Sequence, residues 1–222
     1  MLRPGLLQES LVGVACLLVG LADARAGVPT IAPASAASAA SAGPLNDLRQ
    51  MDRALEAALR RRVPDWSPEA SAIRIRVDAI LAEALDYEQI AHRALDDDWD
   101  KLTAAQRRDF LRTFTALTNQ AFVSAVTRPN VRLRFDSESI TGLVASVLVT
   151  ACVSGATTPD TEQPIEYRLA KKGSRWMVYD VVVDRVSLVD SYRREFARVL
   201  HRGGFAELMA RMQYKLERSE KY

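Results

Sequence analysis

Residues 175–196, RWMVYDVVVDRVSLVDSYRREF, constrain this chain more than any other stretch, because two periodicities meet there with no Gly or Pro between them. Met177, Tyr179, Val181 and Val183 make an apolar face at period two. Ser187 then opens a segment in which Leu188, Tyr192, Phe196 and Val199 recur at helical spacing. A sheet strand therefore passes directly into a packing helix.

The first half of the chain reads as helices. Leu45, Leu48, Met51, Leu55 and Leu59 mark an amphipathic helix ending before Pro64. Ser67 followed by Pro68 and Glu69 is a helix start, with Ile73, Val77, Ile80, Leu81 and Leu85 as its stripe. Asp86 caps a short helix through Leu95, and the acidic run Asp96 to Asp100 breaks it. Thr103 and Gln106 form a capping box for a helix that carries Phe110, Phe114, Leu117, Ala121 and Phe122 on one face, reaches Val126 and stops at Arg128-Pro129-Asn130.

After residue 130 the period changes to two. Val131, Leu133 and Phe135 alternate with charged residues, as do Ile165, Tyr167 and Leu169; Leu143, Ala145, Val147, Val149 and Ala151 alternate with a smaller or more polar set. With the strand at 175–184 that makes four, linked at 154–164 and 171–174. Short links favour an antiparallel sheet, and two last helices, 188–201 and 205–217, are separated by Gly203-Gly204. The expected fold class is α+β, a curved antiparallel sheet of four strands wrapped by helices, with the helix bearing Phe110, Phe114 and Leu117 covering its apolar face.

Arg3, the apolar run 11–22 and Ala24-Arg25-Ala26 have the form of a cleaved export signal over residues 1–26. Gly13 stands where lipidation at Cys16 would need Leu. Residues 27–44, rich in Ala, Ser and Pro, form a disordered linker, and 45–218 form one domain. Removal of the leader leaves Cys152 alone in an apolar strand, a structural cysteine that no intramolecular disulfide can engage. Thirty Lys and Arg against 28 Asp and Glu give a formal charge of +2, which argues neither for nucleic acid nor for a polybasic membrane anchor.

Catalytic motifs are missing. His92 and His201 stand far apart, and HExxH, CxxC, P-loop, GxSxG and dinucleotide patterns do not occur, so neither catalytic residues nor a metal or cofactor is expected. His92 reads as a surface residue and His201 as a helix C-terminal group. Asp96 to Asp100 lack the Gly and closing Glu of an EF-hand and read as a solvated helix boundary. A base of the ketosteroid-isomerase type could be sought in Asp180 or Asp184, but both fall on the strand face opposite Met177, Tyr179, Val181 and Val183. That apolar face serves equally as a plain hydrophobic core or as the wall of a hollow for a lipid tail.

The wording W-x-V-Y-D-V, then V-S-L-V, then Y-R-x-x-F resembles the MlaC or toluene-tolerance family of periplasmic phospholipid carriers. VDAILAEALDYEQIAHRALDDDW and TAAQRRDFLRTFTALTNQAF are similar to that family's helical segments, so the resemblance runs from about residue 45 to residue 212. The chain departs from the family wording at Asp97-Asp98, where Leu-Gly is usual, and at Asp184-Arg185, where Glu-Gly is usual.

The resemblance implies a nuclear-transport-factor-like cone with extra N-terminal helices. It also implies a monomeric periplasmic carrier, not an enzyme, holding phospholipid acyl chains. Such a carrier docks transiently on an outer-membrane lipoprotein complex and an inner-membrane ABC transporter, without nucleic acid. Its lipid-facing residues would be Trp99, Phe110, Phe114, Leu117, Leu133, Phe135, Val147, Val149, Tyr167, Leu169, Met177, Tyr179, Val181, Val183, Tyr192 and Phe196. The alternatives are a hopanoid-associated relative, a small enzyme acting on an isoprenoid-like ligand through Tyr167 or Tyr179, and an exported binding module with a fully packed core.

Overall fold

A computed structural model of the chain describes residues 43–60, 67–126, 131–153 and 161–219. The expected leader, most of the linker and the Arg128-Pro129-Asn130 stop lie outside them. Among the described residues five helices come first: α1 (Pro44–Leu59), α2 (Pro68–Ala84), α3 (Tyr87–Leu95), α4 (Asp97–Lys101) and α5 (Ala104–Val126). Strands β1 (Val131–Thr141), β2 (Val144–Val153), β3 (Thr161–Lys172), β4 (Arg175–Val183) and β5 (Val186–Ser187) follow, and α6 (Leu188–Ser219) is the last described element.

The helix starts form as their side chains dictate. The Ser67 hydroxyl accepts from the Ala70 N–H at 3.1 Å, and the Asp86 carboxylate accepts from the Gln89 N–H at 3.1 Å. Thr103 and Gln106 close both halves of the capping box, at 2.9 and 3.2 Å. Asp96 ends α3 at φ +51°, and the acidic run then turns once more as α4 instead of remaining irregular. Gly204, at φ +68° and ψ −171°, kinks α6 where the two glycines separate its apolar halves.

The sheet is an antiparallel meander in the order β1-β2-β3-β4-β5, one strand more than the alternation suggested. The added strand is the two-residue β5, formed because Asp184 (φ +50°) and Arg185 (φ +64°) make a tight turn with both central residues left-handed, the geometry of a type I′ hairpin. Thr161 to Pro164, expected in a connection, instead belong to β3.

Two β-bulges decide which side chains share a face. Arg168 faces Asp180 but Leu169 faces Val178, which leaves Tyr179 as the extra residue of β4. On the near side of this bulge Trp176 and Val178 join Leu169. On the far side Val181 and Val183 join Tyr167 and Ile165. A second bulge at Asp136 likewise brings Glu138 and Ile140 onto the face of Phe135. Period-two reading across β4 is thus out of phase for its first half: Met177 pairs with Ala170 on the opposite face.

Candidate functional site

The concave wall of the sheet consists of Ala145, Val147, Val149 and Ala151 on β2, Ile165, Tyr167 and Leu169 on β3, and Trp176, Val178, Val181 and Val183 on β4. Leu133 and Phe135 extend it onto β1. Its cover is α1, which packs on β1, β2 and β4 through the buried stripe Leu48, Met51, Leu55 and Ala58. This corrects the expectation that the helix bearing Phe110, Phe114 and Leu117 lies over the sheet. That helix, α5, finds its principal neighbours in α2, α3 and α6.

Polar ties hold the start of α1 to the wall. Glu138 accepts from the Leu45 N–H at 2.8 Å, and Asp47 accepts from the Trp176 N–H at 3.1 Å. The Arg49 guanidinium lies 5.5 Å from the centre of the Phe135 ring. Asp52 sits half-buried over the seam; desolvation, then Glu56, hold its carboxyl above the usual carboxylate range. Burial, with Asp52 adding to it, pushes the Tyr167 hydroxyl up to about 12.

The seam is closed. A void wide enough for water would leave accessible surface on the side chains lining it, and Val147, Val149 and Leu169 are 0 % exposed. An opening begins at its edge, where a cleft of about 320 Å³ between α1 and α2 is lined by Leu48, Met51, Ala54, Ile80, Ala84 and Trp176, rimmed by Asp47, Arg76, Glu83 and Arg175. A second cleft, about 580 Å³ and polar, runs along α3 past Asp86, His92, Arg93, Trp99, Lys172 and Arg193.

The expected site residues divide into groups. Val147, Val149, Tyr167, Leu169, Val181, Val183, Leu133 and Phe135 belong to the wall. Phe110, Phe114, Tyr192 and Phe196 form a separate aromatic cluster between α5 and α6, with ring centres 5.4 to 6.3 Å apart, and Leu117 is buried one turn beyond. Trp99 meets His92 edge-on at 5.8 Å, with the Arg107 guanidinium over its ring. Met177 and Tyr179 are not with the wall residues: Met177 is on the other face, and Tyr179, extruded by the bulge, lies under the Arg93 guanidinium of α3 at 4.4 Å. Trp176, Val178 and α1 take part where the sequence reading did not place them. The amphipathic stripe of α1 was visible, but nothing in it says which surface it covers.

Asp180 is buried on the opposite face and fully engaged. Its carboxylate accepts from the Ser187 hydroxyl at 2.8 Å, the Val189 N–H at 3.1 Å, its neighbour Val181 N–H at 2.9 Å and Arg168 at 3.3 Å. It fixes the β4-to-α6 junction. Asp184 accepts from Gln163 at 2.7 Å in the exposed turn. Cys152 is half-buried beside Arg134 and the Thr150 carbonyl. Among the described residues no group of His, Cys, Asp and Glu converges so as to hold a metal ion, and no helix is long and apolar enough to cross a membrane.

The architecture has solved counterparts. The phospholipid-binding protein from Ralstonia solanacearum, determined in complex with a phospholipid, superposes with a TM-score of 0.63 over 79 % of this chain and 98 % of that one, at 18 % identity, so the two share a fold. The intermembrane phospholipid transport system binding protein MlaC of Haemophilus influenzae is 24 % identical over 132 residues, a match spanning 58 % of this chain and 61 % of that relative's length. Residues 50–214, from α1 to the last turns of α6, match the family model described as MlaC protein, and the chain belongs to the MlaC family.

Proposed function

We propose that this protein is a periplasmic phospholipid carrier, with residues 1–26 as its export signal, 27–44 as a tether and 45–218 as its lipid-binding domain. In this reading the acyl chains lie in the seam between α1 and the concave wall. The observation that carries it is the form of that seam: a continuous apolar wall across β1, β2 and β3 under the amphipathic helix α1, with a cleft already opening at its edge on Leu48, Met51 and Trp176.

Loading then requires α1 to lift. The apolar stripe that covers the wall is exchanged for lipid methylenes, each contributing about 0.8 kcal/mol on leaving water, so the wall stays buried in both states. Two polar ties at the start of α1 and a methionine in its stripe make it a cover that can part without unfolding the sheet. The names of the H. influenzae and R. solanacearum proteins, which speak of phospholipid transport and phospholipid binding, support the same ligand. Exchange with an outer-membrane lipoprotein complex and an inner-membrane ABC transporter follows from the family resemblance, and a bound lipid carried between them requires no reaction.

The test is native mass spectrometry of protein purified after export. Phospholipid retained at unit stoichiometry is expected. Protein recovered empty from lipid-replete cells overturns the reading. A small enzyme acting on an isoprenoid-like ligand is the second reading. It is left with Tyr167 alone on the wall, since Tyr179 faces α3, and burial makes the Tyr167 hydroxyl hold its proton rather than accept one.

A further inference from the structure

Two hairpin tips stand side by side at one end of the sheet. The β1–β2 turn passes through Gly142 (φ +62°) and Leu143, and the β3–β4 turn through Gly173 (φ +64°) and Ser174; a Cβ on either glycine would meet nothing within 4 Å, so both turns project into open space. The Lys171 N–H donates to the Leu143 carbonyl at 2.9 Å and locks one tip to the other.

The first tip is aliphatic and bare. Leu143 is 69 % exposed, Ile140 50 % and Val144 45 %, and register places Ile140 on the concave face and Val144 on the convex one, so the three spread around a single point. The second tip is basic, with Lys171, Lys172 and Arg175 flanking its turn, and Arg76 lines the same cleft as Arg175. Of the acidic groups near this end, Glu88 and Asp96 line the cleft past Lys172, and the others are committed. Asp86 accepts from the Gln89 N–H and Lys172, Asp47 from Trp176, Glu138 from Leu45, and Glu83 pairs with Arg175 across an exposed 3.1 Å contact that water weakens.

Aliphatic side chains at the apex of a projecting turn, bordered by Lys and Arg, are the pattern by which a soluble domain seats on an anionic bilayer: the apolar groups enter the headgroup boundary and the cations meet lipid phosphates. We infer that the paired tips, Ile140, Leu143 and Val144 with Lys171, Lys172 and Arg175, dock this protein on the surface of an anionic phospholipid membrane. A protruding aliphatic point fits a bilayer better than it fits a protein groove, for which aromatic anchors are the usual equipment. Both clefts open beside the same end, one past Lys172 and the other past Arg175 and Trp176. The inference does not depend on where lipid is held inside the molecule.

Co-sedimentation of the purified protein tests it, using vesicles of phosphatidylcholine alone and of phosphatidylcholine mixed with phosphatidylglycerol. Binding to the mixed vesicles is expected at low salt, about tenfold weaker on neutral vesicles or at high salt. Leu143→Asp should weaken it by about tenfold, and Lys171→Gln by about threefold with a shallower salt dependence. Tyr214→Asp, at an exposed position on α6, should bind as the parent, and unchanged melting curves show that each variant is folded. Equal binding to neutral and anionic vesicles, or parental binding by Leu143→Asp, overturns the inference. Tips that serve a protein partner would leave the vesicles bare, which overturns it as well.

Discussion

Asp47, in the first turn of α1, accepts a hydrogen bond from the backbone N–H of Trp176, in the first turnward residues of β4, at 3.1 Å. Asp47→Ala leaves that N–H without its carboxylate and removes an acidic group from a helix start. It should cost about 1–2 kcal/mol in urea unfolding. If α1 is the cover, the same change should speed uptake of a fluorescent phospholipid several-fold. A variant that is destabilised yet loads at the parental rate separates the tie from the opening of the seam.

Val147 stands at the centre of the wall, fully buried and opposite Tyr167. Val147→Trp adds volume to a packed site and should destabilise the fold by about 1–3 kcal/mol while filling the space that acyl chains would take. Phospholipid retention, measured by native mass spectrometry on the folded fraction, should fall sharply. Full retention would remove Val147 from the lipid site.

Arg185 holds φ +64° in the β4–β5 turn, a conformation that costs a residue with a Cβ about 1–2 kcal/mol. Arg185→Gly relieves that strain at the expense of a floppier unfolded chain, so a net gain of about 1 kcal/mol or less is expected as a higher urea midpoint. The family wording that usually has Gly at this place makes the same sense: the turn asks for it.

Burial is the leading cause that raises the hydroxyls of Tyr87, Tyr167 and Tyr192 above the usual tyrosine range. The folded state then keeps protons that the unfolded chain releases. The contribution from Tyr167 is complete below the unfolded pKa of about 10 and is lost as pH rises through its folded value of about 12. Absorbance at the phenolate band should show these three ionising together with alkaline unfolding. Tyr167→Phe should weaken the alkaline destabilisation. Ionisation of these three well before the chain unfolds would contradict the burial.

Much of the architecture was legible because it rests on local chemistry. Ser67, Asp86 and the Thr103–Gln106 pair announce helix starts, and Gly203-Gly204 announces the break in α6. What escaped depends on pairing between distant segments. Tyr179 is extruded only because β3 and β4 slip by one residue there, and the strand's own alternation carries no mark of it. Hence the alternation alone places Met177 on the wall and leaves Trp176 and Val178 off it. The choice of α1 over α5 as the cover is of the same kind: two apolar stripes were available, and only the tertiary fold selects between them.

The central claim is that phospholipid tails occupy the seam between α1 and the concave sheet. Photocrosslinking with a phospholipid carrying a diazirine in its acyl chain, followed by peptide mass spectrometry, reads this directly. Labels on α1 around Leu48 to Leu55 together with β2 and β3 around Val147 and Tyr167 are the predicted result. Labels confined to the aromatic cluster of α5 and α6, or to exposed surface, would contradict it.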